Sequence, residues 1–242
     1  MNLPTPPDDH GFRIRGSPTR TDAFVDAAFA FAVTLLVISI GRVPTSVGEL
    51  VQALRGVPAF AASFFVISRF WLAHRQWSRR YGIEDAYATQ ASLGLVFIVL
   101  VYVYPLRMIA ELTLASISGG LLAETPVVLA SVTDLRTLYV VFGAGYAATA
   151  VLFLLLHRHA SARADALALS REERIRTATT CRRWIVVIAV ALASTLCGLV
   201  APMGRGARVP LDLAPGLMYL VLPFAFRLLA RRERYEIAEP AR

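Results

Sequence analysis

Charge and cysteine are scarce in this chain, and lysine is missing altogether. Of 242 residues only 17% are charged, 56% are hydrophobic, and the mean hydropathy is +0.56. That balance excludes an ordinary soluble domain, in which about a quarter of residues carry charge. The two cysteines, Cys181 and Cys197, stand sixteen residues apart. On one helix that is about 24 Å, far outside disulfide reach, so they read as free thiols. Catalytic patterns are missing too: there is no glycine-rich phosphate loop, no nucleophile elbow and no histidine pair at zinc spacing. His157 and His159 lack cysteine or carboxylate partners at ligand spacing, so no metal site is expected. The chain does not read as an enzyme, and no cofactor is implied. Its net charge of +8 comes without a basic and aromatic surface module, which argues against nucleic acid as a partner.

What the chain does have is uncharged length. Such runs recur at 27–41, 56–68, 86–106, 137–156, 184–204 and 213–226. Several approach the ~20 residues that a helix needs to cross a bilayer core. The reading is all-α, a polytopic membrane protein with six transmembrane helices. The ends of the second and sixth spans are the least defined, because Arg69, His74, Asp212 and Arg227 lie in or beside them. All 25 basic residues are arginine, and their placement orients the chain. With a cytoplasmic N-terminus, eighteen fall on inner segments, six on outer loops, and Arg69 within a span. The positive-inside rule therefore puts both termini in the cytoplasm, with anionic membrane lipids as neighbours. Residues 1–19, rich in proline and acid, read as a disordered cytoplasmic tail, 20–232 as the six-helix transmembrane domain, and 233–242 as a second cytoplasmic tail. In the inner connection of 157–183, Ser170 followed by Glu172 and Glu173 marks a helix start. The outer connection of 107–136, with Gly119, Gly120 and Pro126, reads as a partly interfacial segment.

The most telling stretch is RTDAFVDAAFAFAVTLLVISI at 20–40, where Asp26 stands at the lip of a span. An ionised carboxylate near hydrocarbon needs a partner. Trp71 and His74, three apart on one face of the second span, lie at the matching depth. Either could donate to Asp26, with Arg69 and Arg20 as competitors. Farther along the first helix, Phe31, Thr34, Leu35 and Ile38 form one stripe, and Asp26 lies about 140° away from Phe31 around the axis. Apolar residues at this spacing are ordinarily packing; on an axis shared by several subunits they would make stacked apolar rings.

These residues carry a family resemblance. Arg20, Phe24 and Asp26 resemble the R-x-x-x-F-S-D signature that opens the first helix of the transmembrane protein 175 potassium-channel family. Phe70, Trp71 and His74 of RFWLAHRQW resemble its F-W-x-x-H segment. The resemblance covers about the first 110 residues. It implies a homotetrameric potassium channel in the cell membrane, with K+ as the permeant ion and one pore helix from each subunit. It also implies pore-lining hydrophobic positions at Phe31, Leu35 and Ile38 and a selectivity-associated threonine at Thr34. Three positions depart from the family pattern: Val25 replaces a serine, Phe31 an aliphatic residue and Gly94 an asparagine. No T-V-G-Y-G filter is present, so selectivity would come from the hydrophobic constriction, which would also act as gate. Two rivals remain open. A secondary transporter would use an interrupted helix, hinted at by Pro215 and Pro223. A non-conducting scaffold of the same fold would need only small-residue packing sites such as Gly143, Gly145, Ser194 and Gly198.

Overall fold

A computed structural model describes residues 11–39, 43–122, 131–200 and 213–239. Its described elements are α1 (Arg20–Ile38), α2 (Val47–Arg55), α3 (Val57–Tyr81), α4 (Ala86–Ser118), α5 (Val132–Ala162) and α6 (Arg171–Val200). A final span starts as α7 (Ala214–Leu217), passes through a 3-10 turn at Met218–Leu220 and continues as α8 (Val221–Ala238). All are helical, and six lengths are apolar enough to cross a membrane: α1, α3, α4, α5, α6 and the α7–α8 unit. Each overlaps one of the expected uncharged runs.

Local chemistry explains where the helices start and stop. Thr19 and Asp22 form a capping box on α1: each side chain accepts the other residue's backbone N–H at 3.0 Å. Asp85 caps α4 through Ala88, and Ser131 with Asp134 caps α5. Ser170 and Glu173 cap each other at the start of α6, as the spacing of that segment predicts. Several spans run farther than the uncharged stretches suggest, α3 and α4 among them. The helix of α3 carries on through Arg69 and His74 to Gly82, whose φ of 59° ends it in the left-handed region that glycine favours. Similarly, α4 continues past Leu106, so Arg107 lies buried in the helix with Glu111 as its ion-pair partner rather than in a loop. Pro223 in the first turn of α8 removes a backbone donor, consistent with the 3-10 turn before it.

Helix α1 packs on α3 and α4, α4 on α5, α5 on α6, and α6 on α8. Val25, Phe29, Ala32 and Leu36 of α1 enter the core with Ile67, Leu95, Val99 and Val103. The small residues named above take packing positions: a methyl on Gly143 would collide with Thr195, and one on Gly198 would lie 2.9 Å from Tyr139 Cβ. Ser194 donates to the Pro215 carbonyl at 2.8 Å, fastening α7 to α6.

The described parts of both expected tails need correction, while residues 1–10 and 240–242 lie outside the described residues. Residues 11–19 are not a free segment, because Phe12 is buried edge-on to Tyr81 and the Arg13 amide donates to Glu173 at 2.9 Å. Arg15 completes the attachment with two 2.8 Å bonds to the same carboxylate. At the other end, helix α8 continues to Ala238 instead of stopping at residue 232, held by Arg183 to Glu233 at 3.3 Å and Arg182 to Glu236 at 3.0 Å. Charge complementarity to α6 orders both segments, Glu173 holding Arg15 and the α6 arginines holding Glu233 and Glu236; composition alone does not reveal it.

Candidate functional site

The site is α1 and what holds it. Its sequence is apolar nearly all round, so the surrounding helices decide which face is covered. Val25, Phe29, Ala32 and Leu36, at spacings of three and four, turn into the bundle. The other face is left open: Phe24, Phe31 and Ile38 are 54%, 55% and 65% exposed, and Thr34 is exposed between them. Leu35 lies at the border of this face, partly packed against the core. The Thr34 hydroxyl donates to the Ala30 carbonyl at 3.1 Å, so its polar group is satisfied within the helix while the residue stays on the open side.

Asp26 is tied to α3. The Trp71 indole N–H donates to Asp26 Oδ1 at 2.7 Å, a short bond to a charged acceptor. The Arg75 guanidinium lies 5.4 Å from the centre of the Trp71 ring. His74, the other candidate donor, is not the partner: it is buried, with Nε2 2.9 Å from Ser92 Oγ on α4. The competitors are elsewhere as well, with Arg20 exposed on the first turn of α1 and Arg69 on another face of α3. Trp71 thus links α1 to α3, and His74 links α3 to α4.

Outside the spans, Asp85 between α3 and α4 is a second junction. Besides capping α4 it accepts from His159 at 2.7 Å and Arg163 at 2.6 Å, and the His159 ring stacks on Tyr87 at 4.4 Å. Burial opposes the Asp85 charge, but the Ala88 amide, His159 and Arg163 outweigh it and hold its carboxyl below the usual carboxylate range. His157, just before it in α5, keeps Nδ1 2.8 Å from the Phe153 carbonyl. The two histidines therefore serve separate structural bonds.

Comparison with known proteins decides the family. A potassium channel of Marivirga tractuosa is 30% identical over 230 residues, covering 92% of each chain. The chain belongs to the TMEM175 family of potassium channels. The family model described as endosomal/lysosomal potassium channel TMEM175 matches residues 20–105, which span α1 to most of α4. The potassium channel MtTMEM175, crystallised as a threonine-to-alanine variant in complex with a nanobody fusion, superposes with a TM-score of 0.77 at 27% identity, over 96% of this chain and 100% of that one. A TMEM175 homologue from Chamaesiphon minutus gives 0.56 at 20% identity, over 88% and 96%, and shows the shared fold alone. The protein is thus a membrane protein of a channel family and not an enzyme.

All expected site residues lie within the stretch matched by the TMEM175 model. The structure adds to what the sequence pattern names. Phe24, expected only as a motif residue, sits on the same open face as Phe31, seven residues and about two turns away, a period visible in the sequence. Asp22 is a cap, which its spacing from Thr19 foretells. Ser92 as the partner of His74 had no sequence signal, since the contact spans eighteen residues and two helices.

Proposed function

We propose that this TMEM175 chain conducts potassium passively as a homotetramer in the cell membrane, with both termini cytoplasmic. Four copies of α1 surround the axis. Phe31, Leu35 and Ile38 then form stacked apolar rings about one turn apart, and Thr34 stands between the first and last of them. Such a constriction controls ion passage by wetting and dewetting. Asp26 lies off this face and holds α1 against Trp71 rather than touching the ion, with Arg20, Phe24 and His74 completing the motif around it.

The observation that carries the reading is the open face of α1: its own chain covers one side of the helix and leaves the side bearing Phe31, Thr34 and Ile38 uncovered. One such helix cannot enclose an axis, so the function requires assembly. The test is potassium flux from liposomes holding the purified protein. Wild type is expected to pass potassium, and Phe31→Ala, which widens the narrowest ring, to pass it several-fold faster. Absence of flux in both would leave a non-conducting scaffold of the same fold.

A further inference from the structure

A lateral groove of about 560 Å³ runs between α3, α6 and α8. Toward the middle of the spans its wall is apolar, with Phe65 and Val66 on α3, Val187 on α6, and Leu222 and Phe226 on α8. From the middle of α3 toward the end where α3 stops and α6 starts it is lined by four guanidinium groups, Arg69, Arg80, Arg176 and Arg183, against one carboxylate, Glu233. Arg183 and Arg176 approach Glu233 at 3.3 and 4.0 Å, Arg176 also pairs with Glu172, and Arg80 lies over the Phe12 ring at 4.5 Å.

Two donors in this wall are left over by the protein, the Arg69 guanidinium and the Nε of Arg183, whose terminal nitrogen alone reaches Glu233. Arg183 Nε is buried with no acceptor among the described residues. Arg69, halfway along α3, makes no ion pair among the described residues. A guanidinium inside a membrane span is unfavourable unless it reaches the interface or an anion. Basic pockets between membrane helices at the cytoplasmic side bind anionic lipid head groups. An apolar channel opening into such a pocket adds room for an acyl chain.

We propose that this groove binds one anionic phospholipid, with its phosphate at Arg69 and Arg183 and a chain against Phe65, Val66, Leu222 and Phe226. The excess of cations over the single lining carboxylate selects a net-negative lipid. An amine head group would compete with Arg176 and Arg183 for Glu233, whereas an uncharged glycerol head group leaves those pairs intact. Arg69 and Trp71 are two residues apart, about 200° around α3, so the groove opens on the face opposite the Asp26 tie. With α1 on the pore axis that face turns outward to lipid, a step that rests on the arrangement proposed above.

The test is native mass spectrometry of the delipidated full-length protein offered equal phosphatidylglycerol and phosphatidylethanolamine. Phosphatidylglycerol adducts are expected to predominate, to fall about fivefold in Arg69→Gln, and to persist in Arg69→Lys. Leu222→Trp, which narrows the apolar part from another helix, is expected to lower them as well and carries the test if Arg69→Gln does not fold. Equal uptake of the two lipids, or undiminished phosphatidylglycerol in Arg69→Gln and Leu222→Trp, overturns the proposal. So does oxidative cross-linking between subunits through Phe65→Cys, which would place a neighbouring copy in the groove. Flux is not the readout, so failure here leaves the conduction proposal standing, and absence of flux leaves lipid binding standing.

Discussion

Two side chains three residues apart on α3 answer to different helices. Trp71 bonds Asp26 on α1 and His74 pairs with Ser92 on α4. Three residues advance the helix by about 300°, so the two side chains diverge by about 60°, enough to reach separate neighbours. The sequence placed both at the right depth but could not choose the donor, because that choice depends on how α3 is rotated against its neighbours. Removing Trp71 leaves the Asp26 carboxylate without its indole donor, at a cost of about 1–3 kcal/mol, and His74→Ala leaves Ser92 without its buried partner at a similar cost. The energies should combine in a diagnostic way. Asp26→Asn and Trp71→Phe are expected to be coupled by about 1 kcal/mol or more, and Trp71→Phe with His74→Ala to add within about 0.5 kcal/mol. Unfolding of the purified protein in detergent, with tetramer yield by size exclusion, measures both. Coupling near zero in the first pair would remove the tie between α1 and α3.

Among the elements, the ends of the helices diverge most from what composition suggests. The N-terminal segment and the charged C-terminus look like solvated tails, yet their described parts, residues 11–15 and the end of α8, dock on the first half of α6. Glu173 is the centre of that contact, receiving the Arg13 amide, the Arg15 guanidinium and the Ser170 amide while almost fully buried. Because the Glu173–Arg15 pair is largely withdrawn from water, Glu173→Ala is expected to cost on the order of 3 kcal/mol and to release residues 11–16. Faster tryptic cleavage at Arg13 and Arg15 would report the release; an unchanged rate would show that the segment is held by other contacts. The junction at Asp85 gives a pH dependence. Its carboxyl titrates below the ordinary value, so the stabilisation it brings is fully present above about pH 4 and is lost as pH falls through the depressed folded-state value. The difference in melting temperature between wild type and Asp85→Asn is therefore expected at pH 7 and should close on acidification below about pH 4. A gap that stays constant would mean that the charge contributes nothing. The Ser170 start of α6 was readable because a capping box is a local pattern, whereas the Arg15–Glu173 pair bridges 158 residues and leaves no local trace.

At the scale of the whole molecule, a single chain is an incomplete device. Its first helix buries one side and leaves Phe24, Phe31, Thr34 and Ile38 open, the face that the proposed tetramer would cover with other copies. In a background with Cys181 and Cys197 replaced by serine, Phe31→Cys is expected to form inter-subunit disulfides in membranes under mild oxidant. Val25→Cys, buried against the chain's own helices, should not. Equal cross-linking at both positions would contradict an axis lined by the open face. The number of spans and the family were determined by the sequence itself, because run length and short motifs are properties of contiguous residues. The helical period likewise named the Phe31 stripe in advance. Tertiary structure alone decided that Trp71 and not His74 meets Asp26, that residues 11–15 and the end of α8 dock on α6, and that Arg69 opens onto a basic groove away from α1. Each of those outcomes depends on how separate helices are rotated and packed against one another, and that packing sums weak contacts between residues far apart in the chain.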